Sequence, residues 1–123
     1  MPFQPDKVRQ LISFLEENRE HFAYKDFFRD SEDSCPLVIP EKHSCGTYAC
    51  IAGHMAMLFR DEYSELVLVK NYRMSYFVSE SLGIYENVAY GLIYAGCARA
   101  TYDNAIARLN CLLETGGETI WEG

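Results

Sequence analysis

No stretch of this 123-residue chain approaches the roughly 18 consecutive apolar residues that a membrane-spanning helix needs, so no such helix is expected. Basic clusters are missing too. The eleven lysines and arginines stand singly against eighteen acids, for a formal charge of −7. That field repels phosphate backbones, and without a basic patch direct nucleic-acid binding is not expected. The start, MPFQPDKVRQ, lacks the basic and then apolar layout of a secretory signal. Five cysteines without such a signal point to a reducing, cytoplasmic setting with free thiols, and their odd number excludes complete pairing within one chain. No GxSxG, HExxH, P-loop or GxGxxG motif occurs, so the sequence offers no ground for an enzyme. Internal repeats and low-complexity segments are also lacking.

What is present suits one domain spanning residues 1–123. A hydrophobic content of 49% is ample for a single core, and half the chain would be too small to fold alone. The expected fold is mainly α: four to five helices, a long irregular loop at about 21–44, and one short strand. Val8, Leu11, Ile12 and Leu15 form one stripe of a helix over 5–20, with Pro5 at its first position and Asp6 in its first turn. Pro36 and Pro40 hold the loop around Leu37–Ile39 extended, and a connection this long suggests partner contact. A second helix is expected from Gly46 or Thr47 to Phe59, with Ala49, Ala52, Gly53 and Ala56 as a small-residue face. SELVLVK is ambiguous: its valines allow a strand and its neighbours allow a helix, with a short strand or extended segment favoured. Three helices follow: one stopped by Gly83, one over YENVAYGLIYAG, and one capped by Thr101 and ended by Gly116 and Gly117. In the last of these Ile106, Leu109, Leu112 and Leu113 form the buried stripe, and Ile120 and Trp121 are expected to fold back on the core.

The stretch SCGTYACIAGHMAMLF raises the question of a metal or thiol site. On one helix Cys50 and His54 are four residues apart and lie one above the other, and Cys45, His43 or Cys35 could complete a zinc site. The C-x4-C-x3-H spacing matches no common zinc motif, however, and cysteine packs well as a small buried hydrophobe. Cys45, placed before a helix start, could be an activated thiol, but no base or oxyanion site is evident beside it. Scaffold is the favoured reading, with a zinc- or thiol-dependent domain using Cys45, Cys50 and His54 as the alternative.

CGTYACIAGHMAML, LGIYENVAYGLIY and AIARLNCLLETGGETIW together resemble a family of small uncharacterised proteins of bacteria and their phages, marked by a CGTxxCIAGxA helix and an ETG-x-x-W-like end. The resemblance covers about half the chain. It implies a phage or mobile-element origin and brings no activity with it. In that pattern the position of His54 is often another bulky residue such as Trp, which argues against a ligand there.

Two surface features point to protein binding. From Glu16 to Asp33 seven carboxylates face only Arg19, Lys25 and Arg29, and Asp26, Asp30, Glu32 and Asp33 are the candidates for meeting a basic, nucleic-acid-binding partner. The chain also holds nine tyrosines, and Tyr72/Tyr76 and Tyr90/Tyr94 are helical pairs of the kind enriched at interfaces. The expected function is therefore a phage-encoded inhibitor that binds a host protein, such as an antiviral defence component. No cofactor is expected, and self-association through the tyrosine faces is a further expectation.

Overall fold

The computed structural model describes residues 2–22, 50–93 and 101–119. Among them every element is helical, consistent with the mainly α fold expected. Helix α1 spans Pro5–Glu17 and α2 spans Ile51–Leu58. The short α3, Arg60–Tyr63, runs straight into a π-helix over Ser64–Val69. Helices α4 (Met74–Leu82), α5 (Glu86–Ile93) and α6 (Tyr102–Thr115) follow. Among the described residues there are thus six α-helices, α3 being a single turn, where four to five were expected.

Helix α1 begins with Pro5 and Asp6 in its first turn, where a missing N–H and a negative charge are both favourable. Val8, Leu11 and Leu15 are fully buried and Ile12 partly so. The helix stops at Glu17 rather than residue 20, and at its end both the backbone N–H and the side-chain amide of Asn18 donate to the Phe14 carbonyl, at 3.1 and 2.8 Å. A single 3₁₀ turn, Arg19–His21, takes the chain on.

Helix α2 has no polar face. Every residue from Ile51 to Met57 is buried, including the expected small face of Ala52, Gly53 and Ala56. A helix that is apolar all round belongs inside a bundle, and α1, α3, α4 and α5 pack around this one. Its start corrects the expectation. Cys50 is extended (φ −81°, ψ −172°) and is the N-cap, so the helix begins at Ile51 and not at Gly46 or Thr47.

Lys7 ties α1 to the α2–α3 corner: its ammonium pairs with Glu62 and lies 5.1 Å from the centre of the Phe59 ring. Helix α4 ends at Gly83 in the left-handed region (φ +70°), as predicted. Helix α6 is capped by Thr101, whose hydroxyl accepts the Asn104 N–H at 3.1 Å, and it ends at Gly116 (φ +66°). Leu109 and Leu112 are buried, while Ile106 and Leu113 pack at the core edge. Arg108, also buried, donates to the Gly91 carbonyl in the last turn of α5 at 3.3 Å, a favourable place for a cation. Ile120, Trp121, Ala49 and residues 23–44 of the expected loop lie outside the described residues.

The SELVLVK segment is the main departure from the sequence reading: it is helical, not a strand. Strand propensity lost to context here, because the segment continues α3 and packs Leu66 and Val67 on the core, with no strand among the described residues to pair with.

The glycines supply a graded test. A Cβ on Gly83 would sit 2.0 Å from the Pro2 carbonyl oxygen, while one on Gly116 meets nothing within 4 Å. Both residues have positive φ. Gly116→Ala should cost about 1 kcal/mol from backbone strain alone, and Gly83→Ala on the order of 3 kcal/mol because strain and collision add. Urea unfolding of the two variants checks the order; equal losses would contradict it.

Candidate functional site: an exposed apolar face

Four apolar residues in a row, Leu66-Val67-Leu68-Val69, cannot all face inward from one helix, since a helix buries a single stripe. In the π-helix the Lys70 N–H donates to the Glu65 carbonyl at 3.0 Å, five residues back, and the Tyr72 N–H to Leu66 at 2.8 Å. Leu66 and Val67 turn toward the core, while Leu68 and Val69 remain 48% and 78% exposed. Asn71 then reverses the chain with φ +60°, the one described non-glycine residue in the left-handed region. Asparagine is among the few side chains that tolerate it. π-Helical turns are rare and concentrate at functional sites.

Directly after the reversal stand Tyr72 and Tyr76, 37% and 39% exposed, with their rings edge to face at 5.1 Å. The predicted helical pairing of these tyrosines is therefore real in contact, although Tyr72 precedes α4 rather than lying on it. Leu68 and Val69, exposed as well, precede this tyrosine pair by a few residues in the chain. A sequence reading that treats SELVLVK as a strand misses both residues. The signal available was the run of four consecutive apolar side chains, which on a surface helix marks either an error or a function.

Two ion pairs flank this surface. Lys70 Nζ lies 3.6 Å from Glu65 Oε1, and Arg73 Nε lies 3.4 Å from Glu86 Oε1, which also accepts from Ser75 Oγ at 3.3 Å. Ser79 Oγ donates to the Ile84 carbonyl at 2.6 Å. The bonds from Ser79 to Ile84 and from Ser75 to Glu86 hold the start of α5 against α4, and Tyr90 on α5 is 58% exposed. Tyr94, Asp26, Asp30, Glu32 and Asp33 lie outside the described residues.

Cys50 and His54 do not form the stacked helical pair expected of them, because Cys50 sits outside the helix as its extended N-cap. His54 is fully buried. Its Nδ1 is 2.9 Å from the Cys50 carbonyl oxygen, which also accepts the His54 backbone N–H at 3.0 Å. A carbonyl only accepts, so in this bond Nδ1 carries the proton. The ring is stacked with Phe22 at 6.1 Å and meets the edge of Phe14 at 5.7 Å. Among the described residues no three His, Cys, Asp or Glu side chains converge as metal ligands. Cys45, on which the zinc alternative also depends, lies outside them. A groove of about 370 Å³ runs past Phe3, Ser79, Glu80, Ile84, Tyr85 and Glu118. No imidazole or thiol lines it, and the Ser79 hydroxyl is already donating to a backbone carbonyl.

Phe22 also meets the Tyr102 ring edge at 5.8 Å, and the Arg19 guanidinium covers that ring at 4.5 Å while pairing with Asp103 at 3.6 Å. Burial raises the Tyr102 hydroxyl above the ordinary tyrosine value of 10.0. Glu16 and Asp103 add to the rise, and Arg19 opposes it. The unfolded chain releases this proton at the ordinary value while the folded chain still holds it. The stability that Tyr102 contributes is therefore present below that value and is lost as pH rises through the raised one. Urea midpoints at about pH 8 and about pH 11 should fall more for the parent chain than for Tyr102→Phe, and equal falls would exclude the effect.

No protein-family model, no curated protein and no solved structure matches the chain.

Proposed function

We propose that this chain is a small acidic protein-binding protein that acts by covering a surface of another protein rather than by turning over a substrate. The observation that carries the reading is the exposure of Leu68 and Val69 on a π-helix beside exposed Tyr72 and Tyr76. Apolar side chains held outward by an uncommon backbone geometry are costly to keep in water, and aromatic anchors of this kind dominate binding energies. Tyr90, also exposed, is a further candidate contact for the partner.

The partner is a host protein, and the role is inhibition of a host function such as antiviral defence. Support for this comes from the resemblance of CGTYACIAGHMAML and AIARLNCLLETGGETIW to small phage and bacterial proteins. The charge of −7 favours a basic partner, a nucleic-acid-binding protein among them, by speeding encounter. The acids Asp26, Asp30, Glu32 and Asp33 steer, and the apolar face anchors.

A pull-down from host lysate with the parent chain, Tyr76→Ala and Val69→Asp tests the assignment. The parent should retain a partner at high salt, and each substitution should weaken it by about 2 kcal/mol, a factor of roughly 30. Charge reversal at Asp30, Glu32 and Asp33 should slow association and leave folding stability almost unchanged. Complete dissociation of the parent complex at moderate salt, with Tyr76→Ala binding as well as the parent, would overturn the apolar anchor.

A further inference from the structure

Two helices end at one groove. Helix α4 closes with Gly83 and α6 with Gly116, and both glycines line the groove of about 370 Å³ together with Phe3, Ile84 and Tyr85. A Cβ on Gly117 would collide with the Phe3 ring and come within 3.2 Å of Ile84, so the two C-termini are packed side by side. The C-terminal end of a helix carries a partial negative charge, which lysine, arginine or histidine in the last turn ordinarily offsets. Neither last turn has a basic residue.

Carboxylates stand there instead. Glu80, in the last turn of α4, and Glu118, just beyond α6, both line the groove, and no cationic side chain does. Among the described residues neither of them forms an ion pair. Lys7 shares a neighbouring groove with Glu80, Glu62 and Glu65, but its ammonium is paired with Glu62, and Glu65 pairs with Lys70. Glu80 is therefore left uncompensated from that side as well. Two side-chain charges are added to two negative helix ends, an arrangement that an external cation relieves. Tyr85, 70% exposed, and half-buried Phe3 put aromatic rings beside the carboxylates. A guanidinium uses both kinds of neighbour: it pairs with carboxylates and stacks on aromatic faces. The groove falls in the size range of sites that take small groups.

We infer that this groove binds an arginine side chain of the partner protein, with the guanidinium between Glu80 and Glu118 and against the Tyr85 ring. The inference deepens the proposed function by giving the basic partner a defined chemical contact. The source of the arginine rests on that reading, whereas the site itself can be read on a peptide.

Titration of the ¹⁵N-labelled full chain with a capped peptide holding one arginine tests the site without any partner. Amide signals over residues 79–85 and 116–119 should shift and saturate on the order of a millimolar, the range for a single side chain. The same peptide with citrulline, which keeps the shape and drops the charge, should leave them in place. Glu80→Gln and Glu118→Gln should each weaken binding about fivefold, the upper end for an exposed ion pair. Tyr85→Ala should weaken it about threefold. Glu17→Gln, which removes one charge from α1, should bind like the parent. Because Glu80 stands at a helix C-terminus, Glu80→Gln should unfold at a urea concentration no lower than the parent. A lower midpoint would make this carboxylate part of the scaffold and overturn the assignment. So would an absence of shifts, shifts spread evenly over the surface, equal shifts with citrulline, or full binding by the Glu80→Gln/Glu118→Gln double variant. A parent chain that retains no partner from lysate while the peptide shifts persist would count against the proposed function and not against the groove.

Discussion

An eight-residue helix with no polar face has to be covered from every side, and the rest of this molecule is arranged to do so. Helix α2 is buried from Ile51 to Met57, and four other helices supply its cover. The one strongly polar side chain in that stretch, His54, is accommodated because the Cys50 carbonyl at the helix start accepts from its ring as well as from its backbone. That carbonyl is positioned by the extended conformation of Cys50. Cys50 and His54 are both buried at this helix start, and the His54 ring links α2 to Phe14 on α1 and to Phe22 beyond it.

Covering α2 also creates the exposed face. The chain leaving α2 must turn along the bundle and return as α4, and it does so through Ser64–Val69 and Asn71. Leu66 and Val67 serve the core, so Leu68 and Val69 are left on the outside. The proposed docking surface is in this sense a by-product of core packing, with the tyrosines added beside it. Protein interfaces commonly combine these ingredients: an apolar centre, aromatic anchors and a mixed-charge rim.

How much of this was legible in the sequence depended on whether the controlling contact was local. Pro5, Thr101, Gly83 and Gly116 marked helix ends correctly because each acts through its own backbone or its immediate neighbours. The stripe of Val8, Leu11 and Leu15 was equally plain, since one buried face leaves one period. SELVLVK was misread because β-branched residues in an unbroken apolar run carry no period, and only the packing of Leu66 and Val67 decides between strand and helix. Tyr72 and Tyr76 were visible as a spaced pair, whereas Leu68 and Val69 were hidden inside the misread segment. The role of His54 was hidden too, because it turns on one backbone torsion at Cys50 that no side-chain pattern encodes.

The N-terminal segment has a consequence of a different kind. The Gln4 N–H donates to the Leu82 carbonyl at 2.9 Å, Pro2 lies across Gly83, and the Phe3 ring closes over Gly117 beside Ile84. Residues from the beginning, the middle and the end of the described chain therefore meet at one point. Chain termini are ordinarily the first parts of a small domain to fray. Here, loosening Pro2–Gln4 would uncover both Gly83 and Gly117, so opening this segment disturbs the ends of α4 and α6 together.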